Sequence, residues 1–119
     1  MTIEEFLNAT IPATQPNQFG VYVEDTPIEI ANAKNKQLIV RCAYNGKEYM
    51  FGQSWWCGTS GGGTPVTDRY STLYPDKQSG LIEYLSHLLE LKSFASFAKE
   101  IAEDVSKLKC KQLTIFDML

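Results

Sequence analysis

The side chains that could do chemistry are few and scattered. One histidine, His87, stands among leucines. No serine, cysteine or carboxylate is identifiable from the sequence as its partner, and a general base or nucleophile needs one. It reads as a surface or rim residue. Three cysteines, Cys42, Cys57 and Cys110, are too widely spaced for a disulfide framework or a zinc site. The stretch Cys57–Asp68, CGTSGGGTPVTD, is rich in glycine. A phosphate-cradling loop would need GxxxxGK[ST], and a dinucleotide site would need GxGxxG opening a helix. Neither is present, so Gly58 and the run Gly61, Gly62, Gly63 are expected to form a flexible connection. Arg41, Asp68, Arg69 and His87 fall into no recognisable motif. No catalytic residue, metal site or cofactor is assigned, and a non-enzymatic protein is expected.

The elements that would position these residues centre on Gln37–Cys57, QLIVRCAY-NG-KEYMFGQSWWC. Asn45-Gly46 between two apolar, β-rich runs is a strong hairpin signal. With a two-residue turn, Tyr44 faces Lys47, Cys42 faces Tyr49, Val40 faces Phe51 and Leu38 faces Gln53. Those residues and Trp55 make the more apolar face, hence the core face. Trp55 and Trp56 point to opposite sides, so at least one covers a second surface or is partly exposed.

Around the hairpin, Thr2-Ile3-Glu4-Glu5 is a capping-box pattern that starts a short helix over about residues 3–9. Pro12 and Pro16 mark an extended connection. Phe19–Glu24 and Ile28–Ile30 read as strands, and Pro27 means that the second lies at an edge or starts there. Asn32–Lys36 reads as a polar turn, and Arg69–Leu73 as a short strand rejoining the sheet. Asp76 is a helix N-cap. Leu81, Tyr84, Leu85, Leu88, Leu89 and Leu91 then form a helical stripe. After a break near Lys92-Ser93, with Ser93 as a second cap, Phe94, Phe97, Ile101, Val105 and Leu108 recur at three- and four-residue steps. Strands followed by helices indicate an α+β fold: an antiparallel sheet built around the hairpin, with one or two C-terminal helices on one face.

The totals agree with one domain over residues 1–110 and a tail over 111–119. The chain has 119 residues, 44% hydrophobic and 21% charged, enough for a core without staples. A net charge of −3 and a pI near 5.1 argue against a large nucleic-acid footprint, which needs clustered Lys and Arg. The aromatics Tyr44, Tyr49, Phe51 and Trp55 could stack single-stranded bases, but their face reads as core and lacks a basic groove. The polar, acidic start and the lack of a membrane-length apolar run suggest a cytoplasmic protein.

The tail reads Lys111-Gln112-Leu113-Thr114-Ile115-Phe116-Asp117-Met118-Leu119. Gln112-Leu113-x-Ile115-Phe116 resembles the QLxLF peptide by which bacterial replication and repair proteins bind the β sliding clamp. Ile115 stands where that pattern most often has Leu. The resemblance implies that Gln112 bonds at a pocket rim while Leu113, Ile115 and Phe116 fill an apolar cleft on the clamp. The accessibility of chain ends favours such a peptide. Leu113, Phe116 and Leu119 also recur at helical or turn spacing, so the same residues could instead close the core. The body resembles small phage proteins of unknown function, in that a Gly-rich segment with a proline, Gly61–Pro65, precedes a leucine-rich helix.

The expectation is therefore an accessory protein of a phage or mobile element, acting through protein–protein contact and tethered to the bacterial DNA polymerase sliding clamp. One alternative is an inhibitor of a host defence complex, of anti-restriction or anti-CRISPR type. It would use Trp56, Gly61, Gly62 and Gly63 as contact surface. Another is a small ligand-binding domain using the glycine loop.

Overall fold

The computed structural model describes residues 1–69 and 71–117, with side chains through Lys111. The elements in chain order are α1 (Ile3–Asn8), β1 (Thr26–Ala33), β2 (Lys36–Tyr44), β3 (Tyr49–Cys57), β4 (Ser60–Thr64), α2 (Lys77–Leu89), a 3-10 helix (Lys92–Phe97) and α3 (Ala98–Asp117). The four strands form one antiparallel sheet in the order β1-β2-β3-β4, and helices cover one face. This is the α+β architecture expected.

α1 is held by its capping box, by the buried Phe6 and by a clasp from α2. The Thr2 hydroxyl accepts from the Glu5 amide, and the Glu5 carboxylate accepts from the Thr2 amide. Two otherwise orphaned donors are thereby satisfied. Phe6 is fully buried and meets Phe51 edge-on at 6.5 Å. At the other end, Lys77 Nζ donates to the carbonyls of Phe6 (2.9 Å) and Ala9 (2.5 Å), closing the C-terminus of α1 from α2.

The central hairpin has the expected faces but a different register. Tyr44 pairs with Tyr49, Cys42 with Phe51, Val40 with Gln53 and Leu38 with Trp55. The pairing is displaced by two residues from the tight-turn layout because Asn45–Glu48 all lie in the loop. A type I′ turn needs positive φ at both central residues, and here only Gly46 has it (φ 97°). Asn45 instead uses its side chain: Oδ1 accepts from the amides of Lys47 (2.8 Å) and Glu48 (2.7 Å), while its own amide donates to the Glu48 carbonyl. A shift of two preserves side-chain parity, so the core face survives.

Other expectations are corrected, among them the polar turn over Asn32–Lys36, of which only Lys34-Asn35 lies between strands. Phe19–Glu24 is not a strand; it makes only an isolated bridge from Val21 to Thr67. Its Tyr22 joins Val66 in covering Ala43 and Met50 on the far face of the sheet, a small second cluster. The strand over Ile28–Ile30 is longer, Thr26–Ala33, and a bulge at Glu29/Ala31 turns both Ile30 and Ala31 inward. The glycine run is not a loose connection but edge strand β4. Its tight link to β3 is Gly58-Thr59, with Gly58 at φ 63°. A Cβ on Gly63 would lie 2.8 Å from the Gln53 carbonyl oxygen, so bare backbone is what permits this pairing.

α2 begins at Asp76, whose carboxylate accepts from the Ser79 amide (2.8 Å). Leu81, Leu85 and Leu88 are buried and Tyr84 is half-buried, whereas Leu89 and Leu91 are exposed. The break after α2 becomes the 3-10 helix, whose N-cap position is Leu91 rather than Ser93. Phe94, Phe97, Ile101, Val105 and Leu108 are all buried, as their spacing predicts. Trp55 packs edge-on against Phe94 (5.7 Å) and Phe97 (6.4 Å), while Trp56, on the other face, remains 38% exposed. Arg69–Leu73 is not a strand in its described residues; Tyr74 makes an isolated bridge to Tyr49.

Candidate functional site

Three places on the body combine exposure with structure: a cleft beside α2, the β4 edge, and a groove under α3. The cleft is the most polar in its buried part. It lies between α2, the β3–β4 pair and the segment around residues 71–74, with a volume near 460 Å³. β3 contributes Phe51 and Gln53 because both lie on its helix-facing side. α2 contributes Glu83, Tyr84 and His87.

Gln53 organises this cleft. It is 92% buried, a costly location for an amide unless it is paired. Its Oε1 accepts a short hydrogen bond from the Tyr84 hydroxyl, and its Nε2 donates to Thr64 Oγ1 (3.2 Å). Burial pushes the Tyr84 phenol strongly upward, with Tyr74 adding to the shift, so Tyr84 stays a neutral donor. Phe51 stacks on Tyr84 at 5.5 Å and meets Tyr74 edge-on at 5.8 Å. Ser71 Oγ accepts from the Thr67 amide (3.2 Å) and donates to the Phe51 carbonyl (3.4 Å). Its proton is thus directed to backbone rather than to an imidazole. His87 and Glu83 stand one helical turn apart at the exposed mouth. Binding groups converge here, but the serine is not paired with a base.

Comparison of the chain with protein-family models, curated proteins and solved structures finds no match. The reading of the site rests on its geometry.

The proposed contact residues do come together. Trp56 pairs with Gly61 across β3 and β4, Trp55 with Gly62 and Ser54 with Gly63. All of Ser60–Thr64 is exposed, and the strand's outer edge has no partner strand among the described residues. The scattered set Arg41, Asp68, Arg69 and His87 is not assembled. Arg41 donates to Ser54 Oγ (3.1 Å) and Asp25 Oδ1 (3.2 Å) on the face away from the helices. Asp68 and Arg69 lie beside the Pro16–Gly20 loop, and His87 is at the cleft mouth. Among the described residues no His, Cys, Asp or Glu cluster could hold a metal, and no helix is long and apolar enough to cross a membrane.

The third place is the larger groove, near 740 Å³, bounded by α1, β1 and α3. Its apolar parts include Ile3, Ile30 and Leu108, and Lys111 reaches across to Glu4 at 3.5 Å. Burial raises the Asp104 carboxyl there to about 6, against the pull of Lys107 and with help from Glu103 and Glu100. Gln112, Leu113, Ile115 and Phe116 have side chains outside the described residues; their backbone belongs to α3.

Sequence reading missed Gln53, Thr64 and Tyr84 as a unit. A glutamine alternating with Phe51 and Trp55 on a core face was the available signal, since a buried amide demands partners.

Proposed function

We propose that the chain is an accessory protein of a phage or mobile element whose α+β body is tethered to the bacterial sliding clamp by Gln112, Leu113, Ile115 and Phe116. The observation that carries this reading is the position of the pattern. Leu108 is the last buried residue of α3 among those described, and Gln112 follows four residues later. A clamp could take the peptide without withdrawing any described core side chain. Because the α3 backbone is helical through Asp117, docking in extended form would unwind its last turns. Helix termini open locally at far lower cost than the whole fold.

The test is binding of the full chain, of a chain ending at Lys111, and of Leu113→Ala/Phe116→Ala to a bacterial sliding clamp. Binding by the full chain alone, with unchanged melting temperature in the variants, is the expected result. A full chain that does not bind would refute the tethering, and absence of binding together with a truncation that melts much lower would assign these residues to the core instead.

A second reading is favoured by the bare β4 edge beside Trp56. An inhibitor that occludes a host defence complex would present such a surface, since an open strand edge offers backbone groups for pairing. Retention of a nuclease or restriction complex from a bacterial lysate, with the clamp absent, would support it over tethering.

A further inference from the structure

We propose that the cleft between α2 and the β3–β4 pair is a binding site for a planar, uncharged heteroaromatic ligand of the nucleobase or nucleoside class. Its volume, near 460 Å³, lies in the range of small-molecule sites, roughly 300–1,000 Å³. Its chemistry is specific in three ways.

The polar part is a fixed amide. A primary amide offers two donor hydrogens and two acceptor positions. Tyr84 takes one acceptor position of Gln53, and Thr64 takes one donor. One donor and one acceptor remain on a side chain whose orientation is already locked. Such a pair complements the edge of a pyrimidine or purine, which presents the same two functions. Locking from both sides removes the rotamer entropy that a free glutamine would lose on binding.

The walls are aromatic and partly uncovered. Tyr74 and Tyr84 are half-buried, and they flank the fully enclosed Phe51. Flat apolar walls with a polar floor select a ring over an aliphatic amide.

The charge excludes the phosphorylated form. None of the described lining residues is Lys or Arg, and the Glu83 carboxylate stands at the mouth. A phosphate would meet the Glu83 carboxylate with no lysine or arginine among the described lining residues to neutralise it, His87 being the only basic side chain there.

The experiment is a backbone-amide NMR titration of the full chain with uridine, cytidine, adenosine and guanosine, each to its solubility limit, and with the matching 5′-monophosphates. At least one nucleoside should give saturable shifts centred on Gln53, Thr64, Tyr84 and His87, and its monophosphate should bind more weakly. Tyr84→Phe keeps the ring but frees the amide, and should weaken binding about tenfold, the scale of one lost hydrogen bond. Should Tyr84→Phe fail to fold, Thr72→Trp, placed at an exposed lining position, should abolish binding by filling the mouth. The proposal is overturned by absence of saturable shifts with all four nucleosides, or by shifts centred elsewhere. A monophosphate that binds more tightly than its nucleoside, or a folded variant that binds like the parent, would overturn it equally.

Discussion

Gly80→Ala sets two effects of similar size against each other. Gly80 lies within α2, where replacing glycine by alanine normally stabilises a helix by about 1 kcal/mol. The structure reverses that expectation. A methyl at Gly80 would sit 2.7 Å from Tyr74 Cβ, 2.8 Å from Tyr74 Cγ and 3.1 Å from Phe51 Cε2. Carbon atoms in comfortable contact are about 3.5–4.0 Å apart. The nearest obstructing atom cannot swing away, because the position of Cβ is set by the Tyr74 backbone. The Tyr74 backbone is held in turn by reciprocal hydrogen bonds with Tyr49, at 2.7 and 2.9 Å. Overpacking of this kind costs about 1–3 kcal/mol, and here the upper part of the range applies. Subtracting the propensity gain leaves a net destabilisation of about 1–2 kcal/mol, or a fall in melting temperature of about 5 °C for a domain of this size. Urea titration should show a lower midpoint at unchanged slope. In a Tyr74→Gly background both tyrosine atoms are gone and only the Phe51 Cε2 contact at 3.1 Å remains, so the same substitution should lose most of its cost. A single variant that melts at or above the parent would refute the argument that helix packing, rather than chance, holds glycine at this position.

Two further predictions follow from buried ionisable groups. The Asp104 carboxyl is raised from an ordinary 3.8 to about 6, chiefly by burial, so the folded state holds its proton more tightly than the unfolded state. Stability contributed at this site is therefore greatest below pH 4, declines between about 4 and 6, and stays low above. Asp104→Asn should stabilise the protein at pH 7 by about 1 kcal/mol after allowing for solvent screening, and should have little effect at pH 4; equal effects at both values would refute it. Cys42 is fully buried, and that burial pushes its thiol up to about 12 despite the pull of Lys77. Thiol titration of the native protein should modify Cys110 first and Cys57 more slowly, reaching Cys42 only in denaturant; rapid native reaction of Cys42 would show that the sheet opens.

The sequence was most legible where one local signal had one solution. The Thr2–Glu5 capping box and the Asp76 cap each start a helix where expected, and the Phe94–Leu108 stripe is buried as its spacing predicts, although it is divided between a 3-10 helix and α3. The hairpin was legible in parity but not in register. Asn45-Gly46 suits a two-residue turn, yet the Asn45 side chain competes by bonding two amides of a longer loop. Gly61–Gly63 was misread because propensity speaks for the isolated segment. Pairing with β3 is a tertiary fact, and it needs the missing side chains. The cleft was less legible still. Thr64 is brought to Gln53 by the β3–β4 pairing and Tyr84 by the packing of α2 on β3, and neither their order nor their spacing marks them as neighbours.

The sheet's order has a consequence for how the chain assembles. Strands β1, β2, β3 and β4 are neighbours in space in the sequence order in which they occur. Each pairing therefore closes only a short loop, and the entropic barrier to each step is small. The contacts that span the chain are different in kind: Lys77 reaching back to Phe6 and Ala9, Lys36 to Glu100 at 2.5 Å, and Lys111 to Glu4. The meander can form as it leaves the ribosome, strand by strand. Docking of α1 waits for α2, whose first residue supplies the clasp. Early in synthesis Phe6 thus has no complete pocket, and the N-terminal helix is the part of the fold that arrives first and settles late.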